Sequence, residues 1–238
     1  EPLAPDDVWA PPTPAQPVRV VGAGRSVLAL GQGPRTLVVA GDGAGPDIAR
    51  IAHHAGWPLL AEPTSGARWG GAITNYRDLL EAGLGDRADR IVVAGHPTLS
   101  RPVARLLARA DAEIVVVSRT ARWTDVAGAA SAVVGAITVA EGGAAEADWL
   151  ELWRTADRGL GGAVALGPVE RVVAAAWDAP EALVLGSSNA VRAADIAAPG
   201  DGGQRLAVAN RGLAGIDGTI ATAAGLALGL GEPVRAVM

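Results

Sequence analysis

Three regions of this 238-residue chain hold side chains whose types and spacing suit the binding of charged groups. The first is "LGSSNAVRAADI", where Ser187, Ser188 and Asn189 follow an apolar run and Arg192 lies four positions beyond Ser188. If Ser188 starts a helix, Ser188 and Arg192 share one face. The backbone N–H groups of Ser187, Ser188 and Asn189 then sit at a helix N-terminus, a favourable place for a phosphate. A serine-rich N-cap explains the same residues equally well. The second region, "VANRGLAGIDGTIATAAG", sets Arg211, Gly215, Ile216 and Asp217 in a turn with more glycine than a connector needs. The third joins "VVAGHPTLSR" and "VVVSRTARW", in which His96, Arg101, Arg119 and Arg122 follow two apolar runs. Those four read either as solvated loop residues or as an anion site for an acidic effector, because strand ends line the ligand crevice of open α/β sheets.

Other chemistry is less well supported. The glycines of "VVAGDGAGPDIA" fall at 41, 43 and 45, which is not the dinucleotide-binding spacing, and only Glu62 lies near a ribose-binding position. That stretch reads as a tight strand-to-helix turn. His53, His54 and His96 make no metal set, since no carboxylate or further histidine stands at ligand spacing, and the adjacent His53 and His54 read as surface residues. No nucleophile elbow G-x-S-x-G is present. Metal ligands are therefore expected to be absent.

The elements that position these residues follow from the apolar pattern. Continuous Val/Ile runs ("TLVVA", "RIVVA", "EIVVV") alternate with helical segments, which indicates a parallel sheet covered on both faces. The fold class is α/β. Residues 1–34 read as a Pro/Gly-rich linker, 35–160 as a central doubly wound domain, and 161–238 as the first half of a second α/β domain. "SAVVGAITVA" offers one or two edge strands. Half the residues are apolar, enough for a core. The net charge is −5, every basic residue is arginine or histidine, and no basic run occurs, so nucleic acid is a poor partner. With no cysteine the chain suits a reducing cytoplasm. No segment reaches the roughly 18 apolar residues of a membrane span.

Taken together, "LGSSNAVRAADI" and "VANRGLAGIDGTIATAAG" resemble the central and diphosphate-binding domains of the 2-succinyl-5-enolpyruvyl-6-hydroxy-3-cyclohexene-1-carboxylate synthase (MenD) family, thiamine diphosphate enzymes of menaquinone biosynthesis. The "SNRG-x-x-GIDG" signature is present with Ala209 in place of serine, and "GHPTLSR" and "RW-x-DV" look like actinobacterial members. The resemblance implies that a full-length enzyme decarboxylates 2-oxoglutarate and adds the succinyl carbanion equivalent to isochorismate. It implies substrate contacts at Ser188, Arg192 and Arg211, an arginine fork suiting bidentate carboxylate binding. Ile216 matches the apolar wedge under thiamine diphosphate, and Gly215 would let the backbone approach that cofactor closely. Asp217 can cap the following helix. The family's catalytic glutamate lies in a preceding domain, and the ligands for Mg2+ or Mn2+ follow "PVRAVM". The chain is accordingly expected to be a fragment, inactive alone, of a homo-oligomer (dimer or tetramer). Two other readings remain: a related acetolactate-type or oxalyl-type carboligase or decarboxylase, and a non-catalytic anion-binding α/β module.

Overall fold

The computed structural model describes residues 26–120, 123–125, 127–140, 146–161, 165–210 and 216–238. The first strand, β1 (Val27–Leu30), is followed by β2 (Thr36–Ala40), α1 (Pro46–Ala55), β3 (Leu59–Ala61), α2 (Tyr76–Glu81), β4 (Arg90–Ala94), α3 (Arg101–Leu106) and β5 (Glu113–Val117). Two short strands, β6 (Ala132–Val134) and β7 (Ala136–Val139), then lead to the long helix α4 (Ala147–Leu160). The remainder is α5 (Pro168–Asp178), β8 (Ala182–Leu185), α6 (Asn189–Ala197), β9 (Ala207–Ala209), α7 (Thr219–Leu230) and β10 (Val234–Val237).

Strands β3-β2-β4-β5-β6 form a parallel sheet in that order. Every residue of β2 and β4 is buried, as strands covered on both faces require. One face packs Ile48 of α1, Trp57 and Leu59 against Val38 and Val92. The other packs Tyr76, Leu79, Val103 and Leu106 with Trp149 and Trp153 of α4. The Trp149 indole N–H donates to the Thr36 carbonyl at 2.9 Å, fixing α4 to the start of β2. A separate core joins Val173 and Trp177 of α5, Leu183 and Leu185 of β8, and Val191 of α6. Around it lies a parallel sheet of order β10-β8-β9.

The segment expected to be a linker departs from that expectation at Val27–Leu30, which pairs in parallel with β7 as a two-stranded sheet. Leu30 closes onto the first core, and that apolar contact outweighs the Gly/Pro-rich surroundings. "SAVVGAITVA" gives both strands it offered, but in different sheets.

Candidate functional site

Parallel pairing decides which loops meet. Leu185 at the end of β8 lies opposite Ala209 at the end of β9, so the turns after both strands leave the sheet side by side. The Ser187 hydroxyl donates to the Asn210 carbonyl, tying one turn to the other. From the far side, the Thr222 hydroxyl in the first turn and a half of α7 donates to Asn210 Oδ1 at 2.9 Å. Behind them, the Gly186 N–H donates to the Val237 carbonyl at 2.8 Å, which brings the end of β10 against the same turn.

Ser188 is the N-cap of α6, yet its side chain makes no capping hydrogen bond. The first α6 turn therefore lacks the side-chain acceptor that a serine cap would provide, while the Val191 N–H donates to the Gly186 carbonyl at 3.2 Å. Ser188, Asn189 and Arg192 are exposed. Ser188 immediately precedes α6, with backbone angles outside the helical range, and Arg192 lies in the first turn and a half of that helix. Ile216 is 64% exposed just before the start of α7. Arg211 and Gly215 lie outside the described residues. Asp217 does not cap α7: the N-cap is Gly218, with no side-chain hydrogen bond, so the helix begins one residue later than expected.

Of the residues of the expected effector site, His96 and Arg119 share one cavity. A cavity of about 460 Å3 opens at the C-terminal ends of β2, β4 and β5, and His96 and Arg119 line it. Arg101 opens α3 and is not part of that lining, and Arg122 lies outside the described residues. Asp42 and Asp47 share the wall, and Arg119 Nη2 pairs with Asp47 Oδ2 at 3.1 Å. The cavity thus mixes both signs of charge instead of presenting cations alone. His96 hydrogen-bonds Thr124 through Nδ1.

Two further side chains differ from their expected surroundings. Glu62 is buried and accepts the Leu99 N–H at 2.8 Å, so it braces the turn that leads to α3. His53 packs edge-on against Trp69 at 5.3 Å between ring centroids. It is not a free surface residue, whereas His54 is exposed. Among the described residues, no group of three or more His, Cys, Asp or Glu is placed to hold a metal ion. No helix there is long and apolar enough to cross a membrane.

Sequence reasoning missed the buried trio Arg68, Tyr76 and Asp195, which ties α6 to the central sheet domain. Its one signal was Arg68 standing beside aromatic residues, and nothing in that local sequence indicates partners far down the chain.

No family model matches the chain. Over its whole length it is 49% identical to a 2-succinyl-5-enolpyruvyl-6-hydroxy-3-cyclohexene-1-carboxylate synthase of Nocardioides sp., of which it covers 48%. It is 44% identical to the synthase of Kineococcus radiotolerans, again along the whole chain, covering 46% of that protein. Against the Renibacterium salmoninarum synthase the identity is 42% over 84% of this chain and 38% of the relative. The chain therefore spans about half the length of the curated relatives it matches. With nearly half its residues shared along that whole span, the chain belongs to the 2-succinyl-5-enolpyruvyl-6-hydroxy-3-cyclohexene-1-carboxylate synthase family.

Proposed function

We propose that this chain supplies one half of the active site of a thiamine diphosphate-dependent synthase. The full-length enzyme decarboxylates 2-oxoglutarate and transfers the remaining four-carbon unit to isochorismate in the cytoplasm. One observation carries the reading: the β8–α6 turn and the turn after β9 are hydrogen-bonded neighbours at the C-terminal edge of one parallel sheet. That is where α/β sheets bind their ligands.

The residues present fit the cofactor. The amides of Asn189 and Ala190 at the start of α6, with no serine side chain capping them, suit a diphosphate, and the exposed Ile216 suits the underside of a bent ring system. When bound, thiamine diphosphate supplies a carbon nucleophile and an electron sink for decarboxylation. The chain's own residues do the rest of this half of the work. Arg192 and Arg211 hold substrate carboxylates through charge-assisted hydrogen bonds, and Ser188 orients one of them. The apolar Ile216 surface keeps water from the reacting carbon. The glutamate that activates the cofactor and the ligands of Mg2+ or Mn2+ are assigned to sequence outside residues 1–238, and the site is completed by a second subunit.

Purified residues 1–238 are expected to show no synthase activity, and turnover by this chain alone would overturn the assignment. In a chain of the relatives' full length, loss of Arg192 is expected to raise KM for 2-oxoglutarate. An unchanged KM would remove Arg192 from the site. The central cavity supports a second, subsidiary reading as an effector site, carried by His96 and Arg119 on its wall. A carboxylate entering there has to displace the Arg119–Asp47 contact. Calorimetry with aromatic carboxylic acids tests it: no heat of binding removes the effector.

A further inference from the structure

Helix α6 is held at the end opposite the proposed site. Arg68, buried in the loop after β3, reaches the C-terminus of α6 and donates to the Ala198 carbonyl from Nε at 3.0 Å and Nη2 at 2.6 Å. Nη2 also reaches the Asp195 carbonyl at 3.3 Å, while Nη1 donates to the Ala61 carbonyl at 2.6 Å. One guanidinium thus joins the end of β3 to the end of α6, with its charge beside the negative end of the helix. The buried Asp195 carboxylate accepts the Tyr76 hydroxyl at 2.5 Å and lies 3.7 Å from both Arg68 Nη1 and Arg77 Nε. Burial and the Asp195 charge push the Tyr76 phenol well above its ordinary pKa, which keeps the hydroxyl a donor. The chain leaving α6 continues the grip: Gly71 and Ala72 N–H donate to the Gly200 carbonyl, and Gly200 N–H donates to the Thr74 hydroxyl. Asp157 of α4 in turn accepts the Thr74 and Asn75 amides at 3.0 and 2.8 Å.

Helix α6 has nine residues and runs about 13 Å between this grip and Ser188. A short, well-packed helix carries a displacement at one end to the other. We propose that Arg68 and Tyr76 are positioning residues: by gripping the C-terminal end of α6 through Asp195, they set the Ser188–Arg192 stretch at its other end for a carboxylate-bearing substrate. The proposal rests on the reading of that stretch as a substrate site. The grip itself does not.

The test uses Tyr76→Phe, which removes one hydroxyl, and Asp195→Asn, which keeps the shape and removes the charge. Hydrogen exchange on the 238-residue chain should show α6 amides, residues 189–197, opening about tenfold faster in both variants, with β2 and β4 amides unchanged. In a full-length enzyme, each variant should raise KM for 2-oxoglutarate about fivefold while kcat stays within about twofold. Unchanged exchange in α6 overturns the grip. Faster exchange over the whole chain also overturns it, since the cluster would then be general support. Faster exchange in α6 with an unchanged KM overturns the positioning role. A full-length parent with no turnover of 2-oxoglutarate defeats the functional reading alone, and the exchange result still decides the grip.

Discussion

A guanidinium can be a ligand for substrate or a bolt in the frame, and the proposed site needs the first where Arg68 is the second. Arg192 is exposed on the outer edge of α6, whereas Arg68 is buried with its donors spent on carbonyls. Arg192→Ala in the full-length enzyme should cost about 2–5 kcal/mol in kcat/KM for 2-oxoglutarate if its carboxylate partner is left unpaired. His53 makes a prediction about pH. Burial first, and the nearby Arg154 cation second, hold its imidazole below the ordinary 6.5. The folded state therefore prefers neutral His53, and its contribution to stability is complete above the unfolded value and lost as pH falls through the folded one. Thermal midpoints should drop as pH falls below the ordinary 6.5, and less so in His53→Gln. An equal drop in both proteins would remove His53 as the cause.

At the level of elements, close approach of the backbone decides what can change. A Cβ on Gly200 would overlap the Ala72 carbonyl, while one on Gly203 would meet nothing within 4 Å. Gly200→Ala should lose about 2 kcal/mol or more in urea denaturation, and Gly203→Ala should stay within about 0.5 kcal/mol of the parent. Equal midpoints would show that the 70–74 loop yields freely. The strands at the heart of the larger sheet were legible in the sequence because buried parallel strands need unbroken Val/Ile runs, as in β2, β4 and β5. The start of α6 just after Ser188 was legible too, since it is local. Strand β1 was not, because its partner β7 comes more than a hundred residues later and supplies what the Gly-rich context lacks. Nor could Arg68 be told from a surface arginine: its carbonyl partners on α6 are 130 residues away. Asp217 looked like a cap by type, and the turn geometry gave that position to Gly218.

At the scale of the whole molecule, α7 leaves more large apolar side chains uncovered than any other described helix. Ile220, Leu228 (85% exposed) and Leu230 of α7 face outward, with Ile216 just before them and Met238 exposed as well. Leu228 and Leu230, two positions apart, point to opposite sides of α7, so the helix is apolar around its circumference and suited to burial against a partner. Sedimentation velocity should show concentration-dependent association of the 238-residue chain, abolished by Leu228→Asp. A monomer at every concentration would free this face from any role in assembly.

Arg68 also imposes an order on how the protein comes into being. A ribosome adding about 5–20 residues per second makes Ala198 roughly 7–26 s after Arg68. During that interval β2, β3, β4 and β5 can already pair, since their partners are close in sequence. The guanidinium, however, must stay hydrated and the 66–75 loop unfinished. The acceptor that completes the loop beside the five-stranded sheet is thus supplied by a helix packed on the three-stranded one, so a nascent chain stopped before residue 198 should expose that loop to protease while its strands are already protected.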